Sequence, residues 1–167
     1  MKLIASDLID ELILRAGTNA RARIHHNIHE SLSDPVQRLF IACRLQSYFR
    51  PHRHAEKWEF AVVIRGLFDV VVFDDTSRVT ERVSVGPAAE VIAFEMPPNT
   101  WHSWVTMMDG SVFFETKKGP YVPLRGGDFA DWSPEEGTPE VSGFLESLRK
   151  AKVGEQIVPI RFEIEKE

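Results

Sequence analysis

A mostly β, antiparallel jelly roll is the fold class that three observations in this chain predict. Eight short runs rich in β-branched and aromatic residues follow one another: Arg38 to Leu45, Gln46 to His54, Trp58 to Arg65, Leu67 to Phe73, Val79 to Val85, Val91 to Met96, Trp101 to Met107 and Ser111 to Lys117. Turn formers punctuate them, with Gly66 between two runs and Asp74-Asp75 and Asp109-Gly110 between others. No sustained helical periodicity intervenes before the tail, so the strands are joined by short connections and pair mainly antiparallel.

The flanking segments read differently. Near the N-terminus Ile4, Leu8 and Leu12 recur at helical spacing. Ser6 is placed to cap this helix, Asp7 and Asp10 complement its dipole, and Arg15 with Gly17 closes it, which predicts a helix over about 5–16. Within the run Trp58 to Arg65, alternation predicts that Glu59, Ala61 and Val63 face the barrel interior. Phe60, Val62 and Ile64 then point outward and need cover from the helix, the tail or a second subunit. After a loop rich in Gly, Asp and Pro, Pro139 to Ala151 predicts a short amphipathic helix that gathers Val141, Phe144, Leu145 and Leu148 on one side. A last run, Ile157 to Ile164, alternates apolar and charged residues and is expected to add an edge strand.

Composition bounds the function. The chain has 167 residues, 43% hydrophobic and 27% charged, which suits one domain (1–167) with a barrel core over about 36–122 and a tail over about 123–167. The formal net charge is −5 and the basic residues are dispersed rather than striped, which argues against nucleic-acid binding. Cys43 is the single cysteine, so no intrachain disulfide forms, and its neighbours Phe40, Ile41 and Ala42 predict a buried small hydrophobe. No stretch of about twenty apolar residues exists to span a membrane, and Asp7, Asp10 and Glu11 interrupt any apolar core of a leader, so residence in the cytoplasm is expected.

The stretch from His52 to Gly66 carries the most chemistry. His52 and His54 are two residues apart, so an extended strand projects both rings from one face, within reach of a shared cation. Glu59 follows after room for a turn. Glu56 competes with it, because Glu56 shares the parity of the two histidines unless a turn after His54 breaks that parity. A third imidazole, His102, follows the turn Pro97-Pro98-Asn99, where asparagine tolerates a left-handed conformation. Glu115 and Lys117 share parity on the last barrel run, so both can face the interior, where they serve as an ion pair or as catalytic groups. Tyr48 lies on the face of His52 if its strand is unbroken, and Tyr121 follows Gly119-Pro120; both are candidate substrate contacts. Trp101 and Trp104 are read as packing residues. His25, His26 and His29 lie close enough to suggest a second metal, but no carboxylate pattern accompanies them, and a solvated loop is the plainer reading.

These residues resemble the cupin superfamily. The His-x-His, Glu and Gly spacing is similar to the first cupin motif, and His102 occupies its place in the second, where Asn99 and Thr106 depart from the usual residues. The segments Arg23-Ile-His-His-Asn27-Ile-His29, Ser47-Tyr48, Pro51-His52-Arg53-His54 and Glu115-Thr-Lys117-Lys-Gly119-Pro120-Tyr121 narrow the resemblance to WbuC-type cupin-fold metalloproteins, over about Arg23 to Tyr121. The resemblance implies a single cupin jelly roll, a homodimer, and a place near surface-polysaccharide metabolism. It selects Glu59 over Glu56, giving His52, His54, Glu59 and His102 as metal ligands. It also brings Arg23, Asn27 and His29 forward as groups that face a substrate.

Three imidazoles and a carboxylate leave coordination positions open on a divalent Mn, Fe, Co, Ni or Zn ion, as catalytic sites do. The expected activity is isomerisation or epimerisation of a small polar substrate such as a sugar or nucleotide sugar. His29, Glu115 and Lys117 are then the catalytic side chains, and Arg23, Asn27, Tyr48 and Tyr121 the substrate contacts. An Fe(II)-dependent dioxygenase and a non-catalytic, metal-dependent sugar binder use the same ligands and stand as alternatives.

Overall fold

The computed structural model describes residues 1–157, so the greater part of the expected run Ile157 to Ile164 lies outside the described residues. Helix α1 (Ser6–Thr18) precedes eight strands: β1 (Arg23–Asn27), β2 (Val36–Cys43), β3 (Glu59–Arg65), β4 (Phe68–Phe73), β5 (Val79–Val85), β6 (Ala93–Met96), β7 (Trp101–Thr106) and β8 (Ser111–Lys118). Helix α2 (Val141–Lys150) follows a loop that carries one 3-10 turn, Gly126–Asp128. The strands form two antiparallel sheets, ordered β1-β2-β8-β3-β6 and β5-β4-β7. This is a two-sheet antiparallel jelly roll.

The core lies between the sheets. Leu39, Ile41, Ala61, Val63, Phe68, Val70, Trp104 and Phe113 meet there, and Trp104 stacks on Phe113 with centroids 4.0 Å apart and planes 11° from parallel. Each large apolar side chain so buried contributes roughly 1.5–3 kcal/mol before conformational entropy is charged against it. Strand β2 is buried on both faces along its C-terminal half, because Phe40 and Ala42 turn outward under Ile9, Leu12 and Ala16 of α1. That double burial explains why β2 reads as a continuous apolar run. Strand β3 alternates as its sequence predicts: Glu59, Ala61 and Val63 are buried, Phe60 and Val62 are half-buried and Ile64 is exposed. Helix α1 packs mainly on β1, β2 and β8, and it meets β3 at the Asp10 to Arg65 ion pair.

Two expected elements differ. The run Gln46 to His54 is not a continuous strand; Tyr48 and His52 make isolated bridges to Val105 and His102 on β7. Four steps on one side match three on the other, so one extra residue is inserted, and Pro51 has no N–H to offer to a ladder. The segment Arg23 to Asn27, expected as a solvated loop, is an edge strand paired with β2 from Arg23↔Cys43 to Asn27↔Leu39. Its alternation was masked by the polarity of its inner face. At α1 the cap position is Ala5, so Ser6 is the first helical residue rather than the cap, and the helix passes through Gly17 to Thr18.

Gly66 turns β3 into β4 at φ +79°, and a Cβ there would meet the Ser111 Oγ at 2.0 Å, so this turn admits only glycine. Helix α2 buries Phe144, Leu145 and Leu148 against the outer face of the three-stranded sheet with Tyr48, Val71 and Val105. Its C-terminal end is tied down by Arg82 on β5. The guanidinium donates to the carbonyls of Leu148 (2.7 Å), Arg149 (2.9 Å) and Ala151 (2.8 Å) and forks onto the Asp69 carboxylate at 2.6 and 2.9 Å. Arg82→Ala strands the buried Asp69 and frees those carbonyls. It is expected to cost about 3 kcal/mol, read as a lower urea midpoint.

Candidate functional site

His52, His54, Glu59 and His102 meet at one end of the barrel because four short backbone devices aim them there. His52 and His102 face each other across an antiparallel pair, with His52 N–H to the His102 carbonyl at 3.0 Å and the reverse bond at 2.9 Å. The carbonyl of His54 accepts the Asn99 N–H at 2.7 Å, which ties the Pro97-Pro98-Asn99 turn beside it, and Asn99 adopts φ +60° as expected of this turn. Glu59 opens β3, between Met96 on β6 and Lys117 on β8. Ring centroids lie 4.5 Å apart for His52 and His102, 5.2 Å for His52 and His54, and 6.2 Å for His54 and His102.

The Glu59 carboxylate, 2% exposed, bridges two of the rings: Oε1 lies 3.1 Å from His102 Nε2 and Oε2 lies 3.1 Å from His54 Nε2. Glu56 is exposed and takes no part. Two backbone carbonyls set the tautomers, since Nδ1 of His52 donates to the Arg50 carbonyl at 2.9 Å and Nδ1 of His102 donates to the Thr100 carbonyl at 2.8 Å. The Nε2 lone pair of His102 therefore confronts a carboxylate oxygen, and a positive charge must lie between them, as a proton or a metal ion. His54 Nε2 is buried without an aligned hydrogen bond, although Glu59 is near: the contact is off-axis.

The electrostatics follow from this arrangement. Burial alone would raise the Glu59 carboxyl, but the bond from His102, the close contact with His54 and the Lys117 charge hold it well below the usual carboxylate range. Burial alone would lower the His102 imidazole, and Glu59 raises it. Burial and then His102 push the His52 imidazole well down, toward the neutral form. Among the described residues no three His, Cys, Asp or Glu side chains stand spaced as a preformed coordination sphere. The donors have the chemistry of a nitrogen and oxygen metal site, drawn together by the Glu59 to His102 contact.

A cavity of about 510 Å³ lies against this group. Ile41, Phe49 and Trp104 form its apolar floor. Glu115 and Lys117 project into it, with Lys117 Nζ 2.6 Å from Glu115 Oε1 and 3.9 Å from Glu59 Oε2. Burial raises the Glu115 carboxyl although Lys117 opposes it. Burial would lower the Lys117 ammonium, but Glu115 and Glu59 raise it.

Arg23 lines the cavity, yet its guanidinium is already engaged: it donates to the Tyr48 carbonyl at 2.7 Å, pairs with Glu136 and lies 4.5 Å above the Phe49 ring. Tyr121 stands half-exposed at the mouth. Asn27 and His29 line a neighbouring hollow, and His29 rests with Nδ1 3.0 Å from the Arg38 N–H. His29 therefore stands apart from the imidazoles, in a hollow that Glu115 and Lys117 also line. Tyr48 is elsewhere: its ring packs under α2 and its hydroxyl donates to the Pro134 carbonyl at 3.0 Å. The extra residue between Tyr48 and His52 reverses the parity on which its placement was argued.

Other wall residues had no signal in the sequence. The loop after Tyr121 folds back along the His52 strand: Arg53 N–H bonds the Asp128 carbonyl at 2.9 Å, Ala130 N–H bonds the Pro51 carbonyl at 2.9 Å, and the Phe129 ring sits 6.5 Å from that of His52. Gln37, Lys57 and Lys118 also line the cavity. Their position depends on pairing and loop return, which residue type alone does not reveal.

A family model described as "Domain of unknown function (DUF6016)" matches residues 4–85. No curated protein matches the sequence. Among solved structures the chain is similar to TT1209 from Thermus thermophilus, at 12% identity over 71% of this chain and 97% of that one, with a TM-score of 0.53. It is similar to CapF, solved with the inhibitor 3-isopropenyl-tropolone, at 14% identity over 59% of this chain and 28% of that one, with a TM-score of 0.51. A cupin-2 domain containing protein from Shewanella frigidimarina NCIMB 400 matches at 16% identity over 57% and 80%, with a TM-score of 0.44. At these identities the likeness is one of fold.

Tyr48→Phe removes one hydroxyl bond outside the cavity. The variant is expected to lose about 1 kcal/mol of stability by urea denaturation and to keep any ligand affinity of the wild-type cavity, as read by calorimetric titration.

Proposed function

We propose that this chain is a metal-dependent cupin that isomerises or epimerises a small polar substrate of the sugar or nucleotide-sugar class. The observation that carries the reading is that His52, His54 and the Glu59 carboxylate line a cavity, with His102 buried 3.1 Å behind Glu59, and that the same cavity holds a buried Glu115 and Lys117 pair. His52, His54, Glu59 and His102 would hold a divalent Mn, Fe, Co, Ni or Zn ion, which supplies Lewis acidity toward a carbonyl or vicinal hydroxyls. The WbuC-type resemblance supports a substrate drawn from surface-polysaccharide chemistry.

The remaining chemistry belongs to the side chains. Lys117 keeps its charge in the cavity and holds an anionic or electron-rich oxygen of the substrate. An acceptor that takes up Lys117 releases Glu115, whose buried carboxyl then exchanges a proton with a carbon or hydroxyl beside the polarised group. The floor of Ile41, Phe49 and Trp104 excludes water from one side of the substrate. Arg23 buttresses the wall by holding the Tyr48 carbonyl and Glu136 in place.

Metal content is the first test, by mass spectrometry on protein purified without chelator or added metal. Near-stoichiometric transition metal is expected in the wild type, with loss in His102→Ala and retention in Lys117→Ala. A wild type that takes up none of the five metals on titration would overturn the reading. Substrate-dependent oxygen uptake with iron would replace isomerisation by dioxygenase chemistry.

A further inference from the structure

Beside the cavity of the imidazole group lies a second hollow of about 460 Å³, which the reaction proposed above does not use. The two spaces share a wall that includes Gln37, Glu115, Lys117 and Tyr121. We propose that this hollow is the distal subsite for a two-part anionic saccharide, whose anionic group sits at the shared wall and whose second, hydroxylated unit lies against His25, Asn27 and His29. The proposal rests on the functional reading above for the placement of the reacting end.

Strand β1 builds the hollow. Its outward residue Ile24, like Ile28 just beyond the strand, packs in the α1 cluster, so His25, Asn27 and His29 face the other way, above Ile41 and Leu39. This alternation makes a polar sequence into one polar and one apolar face. All three line the hollow, His25 and Asn27 from an exposed edge and His29 from a buried position.

The hydrogen-bonding capacity of that wall is mixed. His29 Nδ1 lies 2.9 Å from the Arg38 carbonyl and 3.0 Å from the Arg38 N–H. In either tautomer Nε2 is a buried polar atom without a partner among the described residues, on a side chain only 7% exposed. A hydroxyl of a bound molecule, which both donates and accepts, satisfies it. Gln37 is 2% exposed and spends its amide nitrogen on the carbonyls of Leu32 (3.3 Å) and Asp34 (2.9 Å), which turns its oxygen into the free acceptor. The Asn27 amide offers both functions. Donors and acceptors in near-equal number, over an apolar patch of Leu39 and Ile41, suit the hydroxyls and ring face of a saccharide.

At the junction Lys117 pairs with Glu115 at 2.6 Å, and further positive charge lines the first cavity beside it. Lys117 lines both spaces, and Lys57 and Lys118 stand at the mouth of the first. Lys57 donates only to the Pro120 carbonyl, at 2.6 Å, and Lys118 has no ion-pair partner among the described residues. A hexose unit joined to a further unit through a phosphate, or carrying a uronic carboxylate, presents its charge at the same junction.

Calorimetric titration of the protein as purified tests the proposal. The probes are a hexose phosphate, glucuronate, a uronate-containing disaccharide, a uridine diphosphate hexose and a neutral disaccharide. At least one two-part anion is expected to bind about tenfold or more tighter than its one-part counterpart, roughly 1.4 kcal/mol, and tighter than the neutral disaccharide. Asn27→Leu, a substitution on an exposed edge, is expected to abolish that advantage and to leave the one-part anion and the metal content unchanged. The phosphate and uronate arms distinguish the source of the charge. The proposal is overturned if no two-part anion outbinds its fragment, or if Asn27→Leu leaves the advantage intact. Metal content in the same samples separates the two readings: two-part binding that Asn27→Leu weakens in metal-free protein would retain this subsite while removing the proposed reaction.

Discussion

A carboxylate buried inside a jelly roll must be matched by positive charge, and Glu59 organises this end of the barrel around that requirement. Its two oxygens reach His54 and His102, and Lys117 approaches from β8. Taking an unpaired carboxylate out of water costs several kcal/mol, so strands β3, β7 and β8 and the His52 segment are tied to one electrostatic centre. The fold and the site are therefore coupled. The same residues that close the apolar core, Ala61 and Phe113, alternate with the polar ones along β3 and β8 and hold their spacing.

The sequence carried most of the sheet. Period-two alternation on β3 located Glu59 on the buried face, and turn formers marked the boundaries at Gly66, Asp74 and Asp109. It carried less of β1, whose histidines and asparagine look like loop residues until Ile24 and Ile28 are seen under α1. The error at Tyr48 has a different cause. Parity arguments assume an uninterrupted strand, and one inserted residue before His52 reverses every face upstream of it.

The site was legible in part for the same reason. His52, His54 and Glu59 are close in sequence, and His102 follows a turn that announces itself through Pro97, Pro98 and Asn99. Glu115 and Lys117 followed from parity on an unbroken strand. Lys57, Gln37, Phe129 and Glu136 come from separate segments that meet only through loop return and strand order. Nothing local to them distinguishes a wall residue from a surface one.

The loop after β8 has a consequence for where this fold can be cut. All four candidate donors precede residue 103, so a chain ending with the last barrel strand would retain every imidazole and the carboxylate. It would lose the bonds from Asp128 and Ala130 to the backbone of Arg53 and Pro51, and with them the ring of Phe129 beside His52. In modular terms the metal-ligand motif and its enclosure are inherited from different parts of the chain. Grafting the motif into another barrel would transfer the donors and leave behind the wall that decides which molecules approach them.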